Sequence, residues 1–283
     1  MQTITLNDGV QIPLVGFGTF HIPADGSTYQ AVREALKLGY RHIDTAACYF
    51  NEEEVGRAIR ESGIPRSQIF LTSKLWISDF GFDGAKRGIE RSLRKLGTYV
   101  DLYLLHHPYG DLLGAWTRME EYQQRGDLRS IGVSNMTPTL WERWIPQFDK
   151  LPSVNQIKLH PLYQQRDMRQ IQDQTGVRLE AWGPLGQGDR SVIANPVIAK
   201  IGRTHGKDVG QVIVRWGIQQ GIVKLPRSTK PAHIASNLDV WDFELTDEEM
   251  ARIDALDERV GKPHRHDDPE LEAYLREKYV ITD

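Results

Sequence analysis

A carboxylate, a phenol, an ammonium and an imidazole fall at or just after the ends of strand-like runs in the first part of this chain. Asp44 and Tyr49 lie in His42-Ile43-Asp44-Thr45-Ala46-Ala47-Cys48-Tyr49, with Lys74 and His106 downstream. Reducing a carbonyl needs a hydride at carbon and a proton at oxygen. Tyr49 is the expected proton donor. A free phenol titrates near about 10, and a neighbouring ammonium makes it a stronger acid, so Lys74 is expected to acidify it. Asp44 would pair with Lys74 and keep it charged and oriented despite burial. His106 would donate a hydrogen bond to the substrate oxygen in a dry pocket. Each residue alone has an ordinary reading: a packed Tyr, a turn-capping Asp, a solvated Lys, a structural His before Pro. Together at one rim they point to carbonyl reduction.

That rim requires elements that converge. Strand-like runs are Leu14–Gly18, Arg41–Asp44, Ile69–Ser73, Val100–Leu105, Ser130–Val133, Val154–Ile157, Arg178–Trp182 and Gly221–Leu225. Between them lie helical patterns at Tyr29–Leu38, Glu52–Glu61, Asp83–Leu96, Ala115–Arg125, Leu140–Ile145, Met168–Gln174, Val197–His205, Val209–Gln219 and Ile234–Val240. A further helix begins at Thr246, whose Thr-Asp-Glu-Glu resembles a capping box. Eight strand–helix units suit an α/β chain folded as a (β/α)8 TIM barrel, in which functional residues gather at the carboxyl ends of the strands. A doubly wound sheet usually stops after about five or six strands. Residues 1–13 read as a short hairpin, because Asp8-Gly9 favours a tight turn, and an extra helix and tail follow the barrel. With no linker or low-complexity stretch, residues 1–283 read as one domain.

Composition narrows the partners. Lys and Arg number 35 against 38 Asp and Glu, a balance that argues against a nucleic-acid surface. Cys48 is the single cysteine, so no intrachain disulfide forms, as fits a reducing cytoplasm. No apolar run approaches the roughly 18 residues of a spanning helix. The start of the chain lacks the basic-then-apolar pattern of a secretion signal. The expectation is a cytoplasmic monomer acting on a small carbonyl compound, with no membrane or nucleic-acid partner.

The motifs carry a resemblance that extends from about Thr5 to Asp257. They are Gly39–Ala46, Asn51–Gly56, Thr72–Trp76, Asp101–His106, Ile131–Asn135, Val154–Ile157 and Trp182–Gly188, in that order. The chain resembles the aldo-keto reductase family, close to its bacterial 2,5-diketo-gluconate reductase branch. The resemblance matches Asp44, Tyr49, Lys74 and His106 to the family's catalytic tetrad. It implies NADPH as hydride donor, with NADH also admitted, bound across the barrel mouth.

The residues suit that cofactor. Trp182 offers a flat face for nicotinamide. Ser134, Asn135 and Gln156 carry donors and acceptors for its carboxamide. Gly183, Pro184, Leu185, Gly186, Gln187 and Gly188 form a loop whose backbone could approach a pyrophosphate, at a place where barrels often bind phosphate. Gly16-Phe17-Gly18-Thr19-Phe20-His21 is not a dinucleotide fingerprint, because His21 stands where a third glycine belongs. Arg227, Ser228 and Thr229 precede a helix start near Pro231, a setting for a phosphate. The resemblance adds Gly18, Thr19, Asp44, His233 and Asn237 to the cofactor contacts. Relatives commonly have Lys at Arg227, Arg at His233 and Glu at Ser236. Arg227 keeps a bidentate cation. His233 grips a phosphate less firmly than Arg would, so the preference for NADPH over NADH is expected to be softened.

Phe20, Cys48, Phe50, Trp76 and His107 are candidate substrate walls beside His106. The family commonly has Trp at His107, Gly at Phe50 and Asn at Ile77, so a reshaped pocket is expected. Strand alternation predicts that adjacent His106 and His107 do not face the same carbonyl. The short loop Tyr109–Gly114 predicts an open mouth suited to small aldehydes, dicarbonyls and keto-sugars, with the tail His264–Asp268 folding over it. The histidines of that tail read as solvated surface, and no metal site is expected. A non-catalytic NADPH-binding regulatory barrel is the alternative function. A metal-dependent barrel hydrolase lacks support, since the early strands carry no His-x-His.

Overall fold

Asp8-Gly9 turns the chain back on itself, with Gly9 at φ 87. Thr3–Thr5 (β1) and Gln11–Pro13 (β2) thereby pair antiparallel as the expected hairpin. The computed structural model describes residues 2–258, His266 and 268–281. After the hairpin come β3 (Phe17–Gly18), α1 (Ser27–Leu38), β4 (His42–Asp44), α2 (Glu52–Arg60), β5 (Phe70–Leu75) and α3 (Phe82–Leu96). Then follow β6 (Val100–Leu105), α4 (Leu112–Arg125), β7 (Leu128–Ser134), α5 (Pro138–Trp144), β8 (Val154–Lys158), α6 (Arg166–Thr175) and β9 (Arg178–Trp182). The rest comprises α7 (Arg190–Ile193), α8 (Pro196–His205), α9 (Val209–Gln219), β10 (Val223–Leu225), α10 (Pro231–Leu238), α11 (Asp247–Asp254) and α12 (Pro269–Lys278).

Strands β3 to β10 pair in chain order, each parallel to the next. Val15 pairs with Lys224 and closes the ring. Gly16 N–H donates to Lys224 O at 2.8 Å, and Lys224 N–H donates to Leu14 O at 2.9 Å. This is the expected (β/α)8 barrel. Gly16 is required at the seam: a Cβ there would lie 2.6 Å from the His42 ring and from Leu225. Strands β5 and β6 are buried along their whole length. They accordingly show no apolar–polar alternation, as parallel strands under helices do not: β6 is apolar but for Asp101, and β5 buries Thr72, Ser73 and Lys74 as well.

Element boundaries moved where proline or glycine acts. Helices expected from Leu140, Val197 and Ile234 begin at Pro138, Pro196 and Pro231, because proline's fixed φ and missing N–H suit the first turn. The eighth strand, expected from Gly221, begins at Val223. Gly221 sits at φ 67 in the turn that ends α9. The capping box at Thr246 is present, its side chain accepting from Glu249 N–H while Glu249 caps Thr246 N–H.

Lys224 is an unexpected tenant of the wall. It is fully buried against α9, and its Nζ finds no hydrogen-bond partner among the described residues. The Trp216 ring lies beside it, 4.8 Å from Nζ to the ring centroid. Gly217 makes room for the stem, because a Cβ there would strike Lys224 Cε. Burial, and then the charge of Arg169, lowers the ammonium to about 7. The unfolded chain therefore holds this proton more tightly than the folded one between about pH 7 and the ordinary lysine range, and stability rises with pH across that window. Each tenfold difference in proton affinity between the two states is worth about 1.4 kcal/mol. Lys224→Met, similar in volume, should raise Tm by several degrees at pH 7. The gain should shrink as pH rises toward 10, which thermal melts of both proteins at several pH values would read. An equal or growing gain at high pH would refute the assignment.

Candidate active site

Thr45 and Asn51 set the loop that carries Tyr49. Thr45 hydroxyl donates to Asn51 Oδ1 at 2.7 Å, and Asn51 Nδ2 donates to the carbonyls of Thr19 and Ile22. Between them Ala47–Tyr49 makes a single 3-10 turn, which presents Tyr49 over the barrel mouth. Lys74 lies on β5 and is wholly buried. Its Nζ donates to Asp44 Oδ1 at 2.8 Å, to Asp44 Oδ2 at 2.9 Å, to Thr45 O at 2.9 Å and to Tyr49 Oη at 3.3 Å. Barrel closure thus brings three of the four expected residues into direct contact. The fourth, His106, packs edge-on against Tyr49, with ring centroids 5.6 Å apart.

The electrostatics differ from expectation at Tyr49. Burial first, then the negative charge of Asp44, holds its phenol well above the ordinary value. The Lys74 ammonium does not reverse this, because its charge is already bound by Asp44. Tyr49 therefore remains protonated at neutral pH, as a proton donor must. Lys74 contributes a hydrogen bond to the oxygen from which the proton departs. Burial, followed by the charge of His107, drives His106 well below the usual imidazole range, so its ring is neutral and carries one N–H. Cys48 Sγ lies 3.5 Å from His106 Nδ1, and burial pushes the Cys48 thiol up. A thiol that keeps its hydrogen can donate to Nδ1, which leaves the N–H of His106 on Nε2.

Asp44, Cys48, Tyr49 and His106 line a cavity of about 740 Å³, and Lys74 lies behind them. Phe20, Cys48, Trp76 and His107 stand in its wall. Phe50 does not. It is 48% exposed and takes φ 58 at the end of the Tyr49 turn, so the backbone carries it out to solvent. His107 does face the same cavity as His106, with the two rings stacked 5.0 Å apart. Strand alternation fails because β6 ends at Leu105, before either histidine.

The cofactor candidates divide. Gly18, Ser134, Asn135, Gln156, Trp182, Gly183, Pro184, Leu185, Gln187, Gly188 and Arg227 line the cavity. A Cβ on Gly18 would come 3.4 Å from Leu225 O, so the floor there is bare backbone. Trp182 is held in place by its indole N–H, which donates to Asn135 Oδ1 at 2.9 Å. Thr19 is buried with its hydroxyl donating to Asp44 O at 2.9 Å, making it a structural clamp. Gly186 packs against Val192 and is absent from the wall. Ser228, Thr229, His233 and Asn237 follow β10 but do not border the cavity. Ser228 Oγ accepts from Lys230 N–H at 3.1 Å, and His233 is exposed on α10.

Several lining residues were not anticipated. Leu271, Tyr274, Leu275 and Tyr279, on or just after α12, wall one side of the mouth. Trp76 indole N–H ties this segment down by donating to Tyr279 O at 2.9 Å. The mouth is therefore flanked by a helix rather than left open by the short 109–114 loop. His266 lines the cavity and Asp268 caps α12, while His264, Arg265 and Asp267 lie outside the described residues. No local motif marks which side of the barrel a terminal helix will cover. Glu180 was also missed, although a carboxylate in an apolar strand two residues before Trp182 signals the same face. Among the described residues no His, Cys, Asp and Glu group suits a metal ion, and no helix is long and apolar enough to cross a membrane.

The fold and site define a barrel oxidoreductase of the NAD(P)-dependent class. The chain belongs to the aldo/keto reductase family, whose model matches residues 14–258. An aldo-keto reductase of Mycolicibacterium smegmatis is 46% identical over 268 residues, covering 93% of this chain and 96% of that protein. The glyoxal reductase of Bacillus subtilis is 42% identical over 264 residues, covering 92% of this chain and 95% of that one. The solved structure of a Gox0644 mutant in complex with NADPH matches with a TM-score of 0.88 at 38% identity, covering 94% of this chain and 97% of that chain.

Proposed function

We propose that this chain reduces small aldehydes, dicarbonyls or keto-sugars to alcohols with NADPH. The observation that carries the reading is the Tyr49 hydroxyl, still protonated, 3.3 Å from a lysine that is itself held by Asp44 at the edge of the cavity. The cofactor fits the residues present. Trp182 supplies a flat wall, Gly18 a floor without side chain, Ser134, Asn135 and Gln156 polar groups, and Arg227 a cation. A nicotinamide held there would supply the hydride that the carbonyl carbon needs. Tyr49 gives its proton to the carbonyl oxygen as the alcohol forms. Lys74 stabilises the phenolate that remains, Asp44 keeps Lys74 aimed, and His106 Nε2–H orients the oxygen. Tyr49 then regains a proton from water.

The substrate range rests on the cavity's mixed wall, with His107 beside Trp76 and Phe20. It also rests on the likeness to a glyoxal reductase, 42% identical to this chain. The same reading has the enzyme acting as a cytoplasmic monomer, which light scattering on the purified chain checks. The direct test is loss of NADPH absorbance with a panel of aldehydes, dicarbonyls and keto-sugars. Binding of NADPH without turnover of any panel member would sink the proposal in favour of a regulatory nucleotide-binding barrel.

Cofactor choice is a separate expectation. Arg227 borders the cavity while His233 stands exposed on the helix beyond it. We expect NADPH to be preferred over NADH by kcat/KM, by a margin that His233→Arg widens by about tenfold, the worth of one charged hydrogen bond. No change on that substitution would remove His233 from the phosphate site.

A further inference from the structure

A buried row of side chains beneath the cavity has no part in the proton transfer just described. Glu180 is wholly buried on β9. Its Oε2 lies 2.8 Å from Gln156 Nε2, and the same nitrogen lies 2.8 Å from Asp44 Oδ2. Its Oε1 accepts no hydrogen bond and faces His42 Nε2 at 3.6 Å. Asp44 receives the Lys74 ammonium on both oxygens, the geometry of a carboxylate. The Gln156 atom that meets Asp44 must therefore be nitrogen, since an amide oxygen there would confront negative charge. A side-chain amide has two N–H donors. Asp44 takes one and Glu180 the other. Gln156 borders the cavity, and its remaining polar atom, Oε1, is an acceptor.

We propose that Glu180 is a positioning residue for cofactor recognition. Asp44 sets which end of the Gln156 amide faces inward, and Glu180, by accepting the second N–H, fixes the plane of that amide so that its oxygen stays aimed at the cavity. The site then selects a pyridine ring bearing a carboxamide NH2 over one bearing an acetyl group. This inference rests on the reading of the cavity as a nicotinamide site.

The protonation states agree with it. Burial, and next the charge of Asp44, raises the Glu180 carboxyl to about 8. Burial lowers His42 to about 3. Burial thus favours the protonated form of Glu180 and the neutral form of His42. His42 Nε2 already meets the Thr72 hydroxyl at 3.0 Å and Oε1 has no bonded partner among the described residues, while Oε2 is the oxygen that accepts from Gln156. The groups whose charge reaches Glu180 are Asp44 from β4 and Lys74 from β5. The position calls for an acid. A glutamine at 180 could turn its own NH2 toward Gln156 Nε2 and push that amide out of line, leaving Asp44 as its one anchor.

The test compares dissociation constants of NADP+ and of its 3-acetylpyridine analogue, read by quenching of tryptophan fluorescence, in wild type and in Glu180→Gln. Wild type should favour NADP+ by about fivefold, the size of one neutral hydrogen bond. In Glu180→Gln the ratio should fall to within about twofold of unity, with a Tm near that of wild type. Should Glu180→Gln not fold, Glu180→Asp, whose carboxyl is too short to reach Gln156, carries the same expectation. A wild-type ratio near one, or a ratio unchanged in the variant, overturns the role of Glu180 and leaves the reductase reading intact. Failure of wild type to bind either dinucleotide overturns both.

Discussion

Tyr49→Phe should lower kcat for carbonyl reduction by about a thousandfold, the middle of the range for removing a general acid, and leave the dissociation constant for NADPH within about twofold. Phe keeps the ring that packs against Phe20 and His106, with centroids 4.8 and 5.6 Å away. It removes only the hydroxyl that Lys74 reaches at 3.3 Å. The two groups packed closest to the phenol do not readily replace that proton. Burial keeps His106 neutral, so its N–H is a far weaker acid than an imidazolium. Cys48, whose thiol burial pushes up, faces His106 Nδ1 rather than the position of the phenol. Stopped-flow hydride transfer with one dicarbonyl, beside fluorescence titration of NADPH, would read both quantities. Turnover within tenfold of wild type would remove Tyr49 as the donor.

Lys74→Met should damage both the reaction and the fold. In the intact protein Asp44 is 4% exposed, and Lys74 Nζ contacts both of its oxygens. Without the ammonium a buried carboxylate keeps only the Gln156 amide, and such broken pairs cost about 3–5 kcal/mol. At about 2–4 °C per kcal/mol for a chain of this size, Tm should fall by roughly ten degrees. Tyr49 also loses its hydrogen-bond donor, so kcat should fall by at least about a hundredfold. The double variant Asp44→Asn with Lys74→Met separates the two effects. Asn removes the stranded charge and should recover most of the lost Tm, while kcat stays low. Recovery of activity together with stability would show that Lys74 serves the fold alone.

Much of this was legible in the chain because it is local. The order of strands and helices follows from apolar runs and periodicity, and the starts at Thr246 and Asp8-Gly9 follow from capping and turn chemistry. Asp44, Lys74 and His106 could be placed at strand ends because a closed parallel barrel has only one rim for them. What stayed hidden depends on packing. The left-handed turn at Phe50 sends out a side chain that composition alone would put in a pocket. The wall made by Leu271, Tyr274 and Leu275 depends on where α12 docks. That the Thr19 hydroxyl is bound to the carbonyl of Asp44 appears only once their strands pair.

Residue types and their order therefore settle the kind of barrel and the chemistry available at its mouth, because backbone propensity and strand polarity act over a few neighbours at a time. Protonation and aim are different. That Tyr49 retains its proton, that His106 is neutral, and that Gln156 presents oxygen rather than nitrogen are consequences of burial and of charges brought together from distant strands. Solvent exclusion and Coulomb interaction act through space, so these properties come into being only when the ring of strands closes.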